Sequence, residues 1–381
     1  MNEILTKDES MNMLYNQTND SYYIENAGLD VEAYEALKLS KDIKTKILSV
    51  HSISRAEIRT LVNIFYQMQK IRIALREQIR SIEQGKSNGG ENKEVNIAVL
   101  DFILTNATVL ENNIKTSLEL FVQSTEEGRW LLAIKGIGPV LAAGLLGHLD
   151  VTDKDYATQF INFAGLNDNN RPWLGVSKSE AIVKEVMGDA KKLDDDMVRE
   201  IAQKTQWSYN YLLSKAYKVS EKTGKGSWNK QKLINACATI PYNKSLKVLM
   251  YKVGSSFQWN CNKPDSKYGS LFNQRRDYEM NKNEAGEYAE QAHDIITSKN
   301  WSDKTSDVYK TYESGKLPKG HINMRAMRWT EKIFLSHLFE EMYRVRNDKI
   351  PPRYYSLEHL EGQHNKEIAP EVPYTKVTGE K

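Results

Sequence analysis

EEGRWLLAIKGIGPVLAAGLLGHLD, residues 126–150, decides how the chain is read. Apolar residues before the turn (Trp130, Leu131, Ile134) and after it (Val140, Leu141, Leu145) recur at helical spacing, while Gly136, Gly138 and Pro139 interrupt the run. The spacing predicts two short helices joined at Lys135-Gly136-Ile137-Gly138, a helix-hairpin-helix. In such a turn the two glycines take conformations that other residues avoid, and main-chain N–H groups at a helix N-terminus are left facing a phosphate oxygen. Lys135 adds a mobile charge and Ile137 plugs the turn into the core. Contacts of this type hold a protein on a nucleic-acid backbone without reading bases. The bland alternative is a turn between packed helices that binds nothing.

Working outward, helical patterning begins upstream at Ser54. Leu61, Ile64, Met68, Ile71, Leu75 and Ile82 fall on heptad positions a and d; Gly85 to Gly90 then breaks the helix. A second heptad run follows at Leu100, Ile103, Ala107, Leu110, Ile114 and Phe121. Two such helices predict an antiparallel coiled-coil hairpin able to dimerise, or simply a packed helical pair. Downstream, Thr152 with Asp155 predicts a capping box for a helix reaching Phe163, and Ser177 with Glu180 predicts another start. Helical pattern resumes around 243–256, 270–298 and 323–345, until Pro351-Pro352 ends it. The expected fold is all-α. Its predicted parts are a disordered acidic tail (1–25), the coiled-coil hairpin (26–124), the helix-hairpin-helix domain (125–185), a basic aromatic helical insertion (186–240), a C-terminal helical domain (241–350) and an extended tail (351–381).

Composition narrows the function classes. No run of about 18 apolar residues exists, so no membrane span is expected, and residues 1–20 lack the apolar core of a secretory signal. Two cysteines and seven histidines give neither a disulfide framework nor paired-ligand spacing for zinc, which makes a reducing cytoplasm the expected setting. Charge is unevenly placed. Residues 1–40 hold eight acids against two lysines, whereas residues 201–252 hold ten lysines against Glu221 alone. Such a stretch points to an anionic partner.

Three groups of residues are candidates for chemistry. Within the basic stretch, Lys215, Lys218, Lys222, Lys225, Lys230 and Lys232 are interleaved with Trp207, Tyr209, Tyr211, Tyr217, Trp228, Tyr242 and Tyr251. Lysines neutralise phosphates and aromatic faces stack on unpaired bases; the alternative is a solvated face over core aromatics. His321, Arg325 and Arg328 share one helical face, with Arg275, Arg276, Glu279, Glu284 and Glu287 on another predicted helix. A groove there could take a phosphate or a metal, although a salt-bridge network needs no ligand. Catalytic candidates are Ser177, or Glu279, Glu284 and His321 around Mg²⁺, which only a nuclease would need. Otherwise no cofactor and no structural metal are expected. Asp194-Asp195-Asp196 reads as a solvated helix start.

The run Ile134 to Leu146, continuing through Tyr156, Phe160, Ile161 and Phe163-Ala164-Gly165-Leu166, resembles the C-terminal domain of the bridge-RNA-guided insertion-sequence transposases. In that family a RuvC-like DEDD domain and a coiled coil precede the helix-hairpin-helix. From Lys244 on, Asp265–Tyr268, Arg275–Ala289, Gly315–Pro318 and His321–His337 resemble transposase-like proteins of phages and mobile elements. Two departures stand out. Nothing before residue 60 supplies the RuvC-like acidic site, and Leu174-Gly175 stands where the family has its Ser-Gly pair. The resemblance therefore implies a transposase-derived protein of a bacterium or phage-infected cell. It would bind DNA, or structured RNA, as a homodimer through the coiled coil, without its own cleaving site. An active recombinase and a protein-binding scaffold are the competing expectations.

Overall fold

A computed structural model describes residues 53–84, 98–167, 173–219, 224, 226–352 and 368–379. The expected acidic tail 1–25, the glycine-rich break 85–90, and Lys222 and Lys225 lie outside them. Among the described residues are fourteen helices and one two-stranded antiparallel sheet, so the fold is all-α. No helix among them is long and apolar enough to cross a membrane. The chain divides into two compact units: residues 1–128 with 142–147, and residues 129–141 with 148–381.

The first unit is built on α1 (Arg55–Glu83) and α2 (Ala98–Gln123). A capping box starts α1: Ser54 Oγ accepts from the Glu57 amide, and the Glu57 carboxylate accepts from the Ser54 amide at 2.8 Å. Ile58, Val62, Phe65 and Ile79 are buried on α1, and Ala107, Leu118 and Val122 on α2. This seam lies one residue beyond the expected heptad on α1. Ile71, Ile103 and Leu110, read as core, are exposed. The cause is a charge pair inside the seam, where Arg72 meets the nearly buried Glu111 with Nε–Oε2 at 2.6 Å and Nη2–Oε1 at 3.2 Å. A pattern drawn from apolar residues alone passes over such a pair, although the bidentate geometry is what makes its burial tolerable.

The second unit carries the remaining elements, and the division crosses both α3 (Glu126–Ala133) and α4 (Pro139–His148). Next comes α5 (Ala157–Phe163), entered from Tyr156 with Gln159 as the capping acceptor; Thr152 instead donates to Asp150, so the expected Thr152–Asp155 box does not form. Ser177 is no cap either. It lies in the first turn of α6 (Gly175–Met187), whose cap residue is Leu174. Asp194 does start α7 (Asp195–Thr205), its carboxylate accepting from the Met197 amide. Then follow α8 (Tyr209–Ala216), the hairpin of β1 (Tyr217–Val219) and β2 (Gly226–Trp228), and α9 (Lys230–Cys237). Val183, Met187, Val198, Ile201, Leu212 and Leu233 close one core among these elements, so α6 packs with the helices of 186–240.

The rest of the unit is α10 (Lys244–Trp259), α11 (Lys267–Glu284), α12 (Ala289–Ser298), α13 (Asp307–Glu313) and α14 (Lys319–Asn347). Phe257, Tyr268 and Phe334 stack and edge-pack where α10, α11 and α14 meet. At Gly254 the helices nearly touch: a side chain there would start 2.2 Å from Glu331 Oε1. Residues 368–379 run extended against this unit. Ile368 O accepts from His337 Nε2 at 2.7 Å, and Glu341 accepts from the Thr375 amide and hydroxyl at 2.9 and 2.6 Å. The Tyr374 ring stacks on Trp130 and lies under the Arg344 guanidinium. The segment thus answers His337, Glu341 and Arg344, three buried polar residues of α14.

Burial pushes the Glu331 carboxyl up to about 8, against the opposing pull of Arg328 and Lys247. In the unfolded chain the same group ionises near the ordinary value for glutamate. Stability from this site is therefore complete at acid pH and is lost as pH rises toward 8. Glu331→Gln should raise the urea midpoint at pH 8 and leave it nearly unchanged at pH 5; equal midpoints at both pH values would show that the carboxyl ionises normally.

Candidate nucleic-acid interface

Two short helices, α3 and α4, flank the Lys135–Gly138 turn, with Ile134 and Ile137 buried and the Ile137 amide donating to Ile134 O at 3.1 Å. Only one of its glycines uses a forbidden conformation. Gly136 has φ +97°, and a side chain there would start 2.8 Å from Ser256 Oγ and 3.0 Å from Asn260 Nδ2. Ser256 Oγ donates to Gly136 O at 2.6 Å, fastening the turn to α10. Gly138 has no positive φ, and nothing lies within 4 Å of where its side chain would begin. Its use is open space before α4, not backbone freedom.

The Lys135 side of the turn is occupied from within the chain. The Lys135 amide donates to Glu371 Oε1 at 2.6 Å, and its ammonium pairs with Asp265 at 2.8 Å, holding that carboxyl below its usual range. Glu371 Oε2 also accepts from the amides of Lys267 and Tyr268, at 2.9 and 3.4 Å, in the first turn of α11. The side of the turn that stays open is Gly138 and the start of α4.

Beside this turn lies a face whose lysines and Tyr251 belong to the basic stretch read from the sequence, but whose Trp259 that reading missed. Lys244, Val248, Tyr251, Ser255 and Trp259 recur every three or four residues along α10, so they share one face, with Lys247 and Lys252 at its margins. Trp259 is 87% exposed and Tyr251 53% exposed. Ser256 and Asn260, the residues against Gly136, directly follow Ser255 and Trp259 in sequence, which brings this face to the edge of the hairpin. There is no acid on α10. The signal that could have found it was present in the sequence: aromatics at helical spacing among lysines.

The other sequence candidates separate. Lys215, Lys218, Lys230 and Lys232 are exposed around the β-hairpin and α9, and the Lys218 ammonium beside Lys232 lowers the latter's pKa. Most aromatics of that stretch serve packing. Trp207 stacks on Tyr211 and donates to Cys237 O, while Tyr209 and Tyr217 pack edge-on to Trp228, which donates to Asp195. Tyr242 lies against Gly165 and beneath Lys247, leaving Tyr251 the exposed ring of the predicted set.

Arg325 is spent on Glu279, which is 1% exposed and also accepts from Arg275 and from the Tyr288 hydroxyl. His321 meets the Tyr312 hydroxyl at 3.2 Å; burial, then Arg325 and Arg328, lower its pKa. Glu284 pairs with Lys316 instead. Glu279, Glu284 and His321 are therefore not a ligand set, and among the described residues no three His, Cys, Asp or Glu groups converge as a metal site. Ser177 is exposed in the first turn of α6.

The chain matches no protein-family profile, no curated protein and no solved structure.

The two glycines should respond differently to substitution. Gly136→Ala forces a strained φ against α10 and should cost about 1–3 kcal/mol, whereas Gly138→Ala should cost no more than about 1 kcal/mol. Urea unfolding distinguishes them, and similar losses at both positions would contradict the assigned roles.

Proposed function

We propose that this chain is a nucleic-acid-binding protein, with DNA as its partner, that grips the phosphate backbone with little reading of sequence and cleaves no strand itself. The observation that carries this is α10, an acid-free helix with three lysines and exposed Tyr251 and Trp259, ending against the glycine turn. Lysines there neutralise phosphates, and the rings offer platforms for unpaired bases. The likeness of residues 134–166 to a transposase C-terminal domain supports DNA of a phage or mobile element as the partner, and a cytoplasmic setting. Engagement of Glu279 by two arginines and a tyrosine supports the absence of a cleaving site there.

Fluorescence anisotropy with a short labelled duplex and its single strand tests the reading. Affinity should fall at least about 100-fold between roughly 50 and 200 mM salt, as for some four phosphate contacts. Tyr251→Ala and Trp259→Ala should each weaken single-strand binding about tenfold and duplex binding less. Absence of salt-sensitive binding to either probe would refute the proposal.

A second reading concerns the first unit. Val99, Phe102, Ile103 and Leu110 form an exposed apolar stripe on α2, which favours self-association through the helical pair. Sedimentation velocity should give a dimer that Phe102→Glu with Leu110→Glu converts to monomer; a wild-type monomer at tens of micromolar would exclude it.

A further inference from the structure

The Glu371 carboxylate is held as a bound anion would be. Its two oxygens meet three amides from two separate places: Lys135 in the hairpin, and Lys267 and Tyr268 at the N-terminus of the 18-residue α11. Converging amides at a helix N-terminus are a general solution for binding carboxylate or phosphate. Lys267 Nζ reaches Pro370 O at 3.2 Å beside the pocket, while Lys135 Nζ is paired with the Asp265 carboxylate. The occupant comes from a segment of which no residue is fully buried, and which is tied by hydrogen bonds to His337, Glu341, Arg344, Trp130 and Asp348 on either side of the Glu371 side chain.

We propose that Glu371 is an internal stand-in for a nucleic-acid phosphate: its side chain is the displaceable occupant of an anion pocket made by the Lys135, Lys267 and Tyr268 amides, while Ile368 and Thr375 stay on His337 and Glu341. This rests on the nucleic-acid reading above and adds a site and a control to it. A phosphodiester brings one negative charge on two free oxygens, as the carboxylate does, and competes for the same three donors. The open edge at Gly138 and the α10 face would engage nucleic acid first; the phosphate would then take the place of Glu371. An internal competitor lowers apparent affinity by the fraction of time it fills the pocket. Removing its charge should therefore strengthen binding, the reverse of removing a structural cap.

The test uses the full chain and a short labelled DNA duplex. Glu371→Ala should bind about tenfold tighter than wild type at equal salt. Glu313→Ala, the same charge change at an exposed position, should stay within about twofold. Hydrogen exchange on the wild type, followed by mass spectrometry, should change at the Lys135 and Lys267 amides when duplex is added and stay unchanged at the Thr375 amide. Wild-type binding with unchanged exchange at the Lys135 and Lys267 amides, and Glu371→Ala no tighter than Glu313→Ala, overturns the stand-in role but leaves DNA binding intact. Failure of wild type and Glu371→Ala alike to bind overturns both readings. Binding by Glu371→Ala alone supports the competitor. If Glu371→Ala does not fold, the exchange measurement on the wild type decides.

Discussion

The Gly136 turn is the constraint on which the second unit's surface depends. At φ +97° the chain reverses with its carbonyl aimed at α10, where Ser256 Oγ takes it at 2.6 Å. No side chain fits at that position, because Ser256 and Asn260 already fill it. Fixing the turn to α10 brings the open start of α4 to two features more than 100 residues later in sequence: the lysine and aromatic face of α10, and the first turn of α11 with its bound carboxylate. A helix-hairpin-helix is a small motif. Here its neighbours give it an electrostatic setting.

Buried charge in the unit follows a consistent logic. Glu279 is nearly inaccessible, yet it is met by Arg275, Arg325 and Tyr288, so its desolvation is offset by charge-assisted hydrogen bonds and its pKa stays low in spite of burial. Glu341 is answered by the Thr375 amide and hydroxyl, and His337 by Tyr268 and the Ile368 carbonyl. Since a carbonyl only accepts, His337 Nε2 carries the proton and Nδ1 accepts from the Tyr268 hydroxyl, which fixes the neutral tautomer. Burial holds that imidazole down to about 4. The extended segment is thus part of how α14 tolerates polar residues inside, even as its Glu371 end sits on a surface pocket.

Much of the architecture was legible from local signals. The glycine turn, the helix starts at Ser54 and Asp194, and the all-helical character follow from spacing and capping chemistry that act within a few residues. What escaped depended on partners distant in sequence. The heptad face of α1 slipped by one residue because Arg72 sits in the seam only by virtue of Glu111. Ser177 and Thr152 had the right spacing for caps, but tertiary packing begins those helices elsewhere. Aromatics at 207–228 were equally compatible with stacking on bases and with a core, and the core claims them. Trp259 was passed over because its neighbours read as ordinary helix; only its 87% exposure beside the hairpin gives it meaning. Nor could any local pattern tie Glu371 to Lys135.

Taken together, the second unit presents cations without acids along α10, rings facing solvent, and an anion pocket filled by the chain itself. The most direct test is where nucleic acid touches the protein. Photocrosslinking a thiothymidine-bearing single strand to the full chain, followed by peptide mapping, should place adducts on Tyr251 and Trp259. Adducts confined to other elements, or none at all under conditions where a known binder crosslinks, would contradict the account.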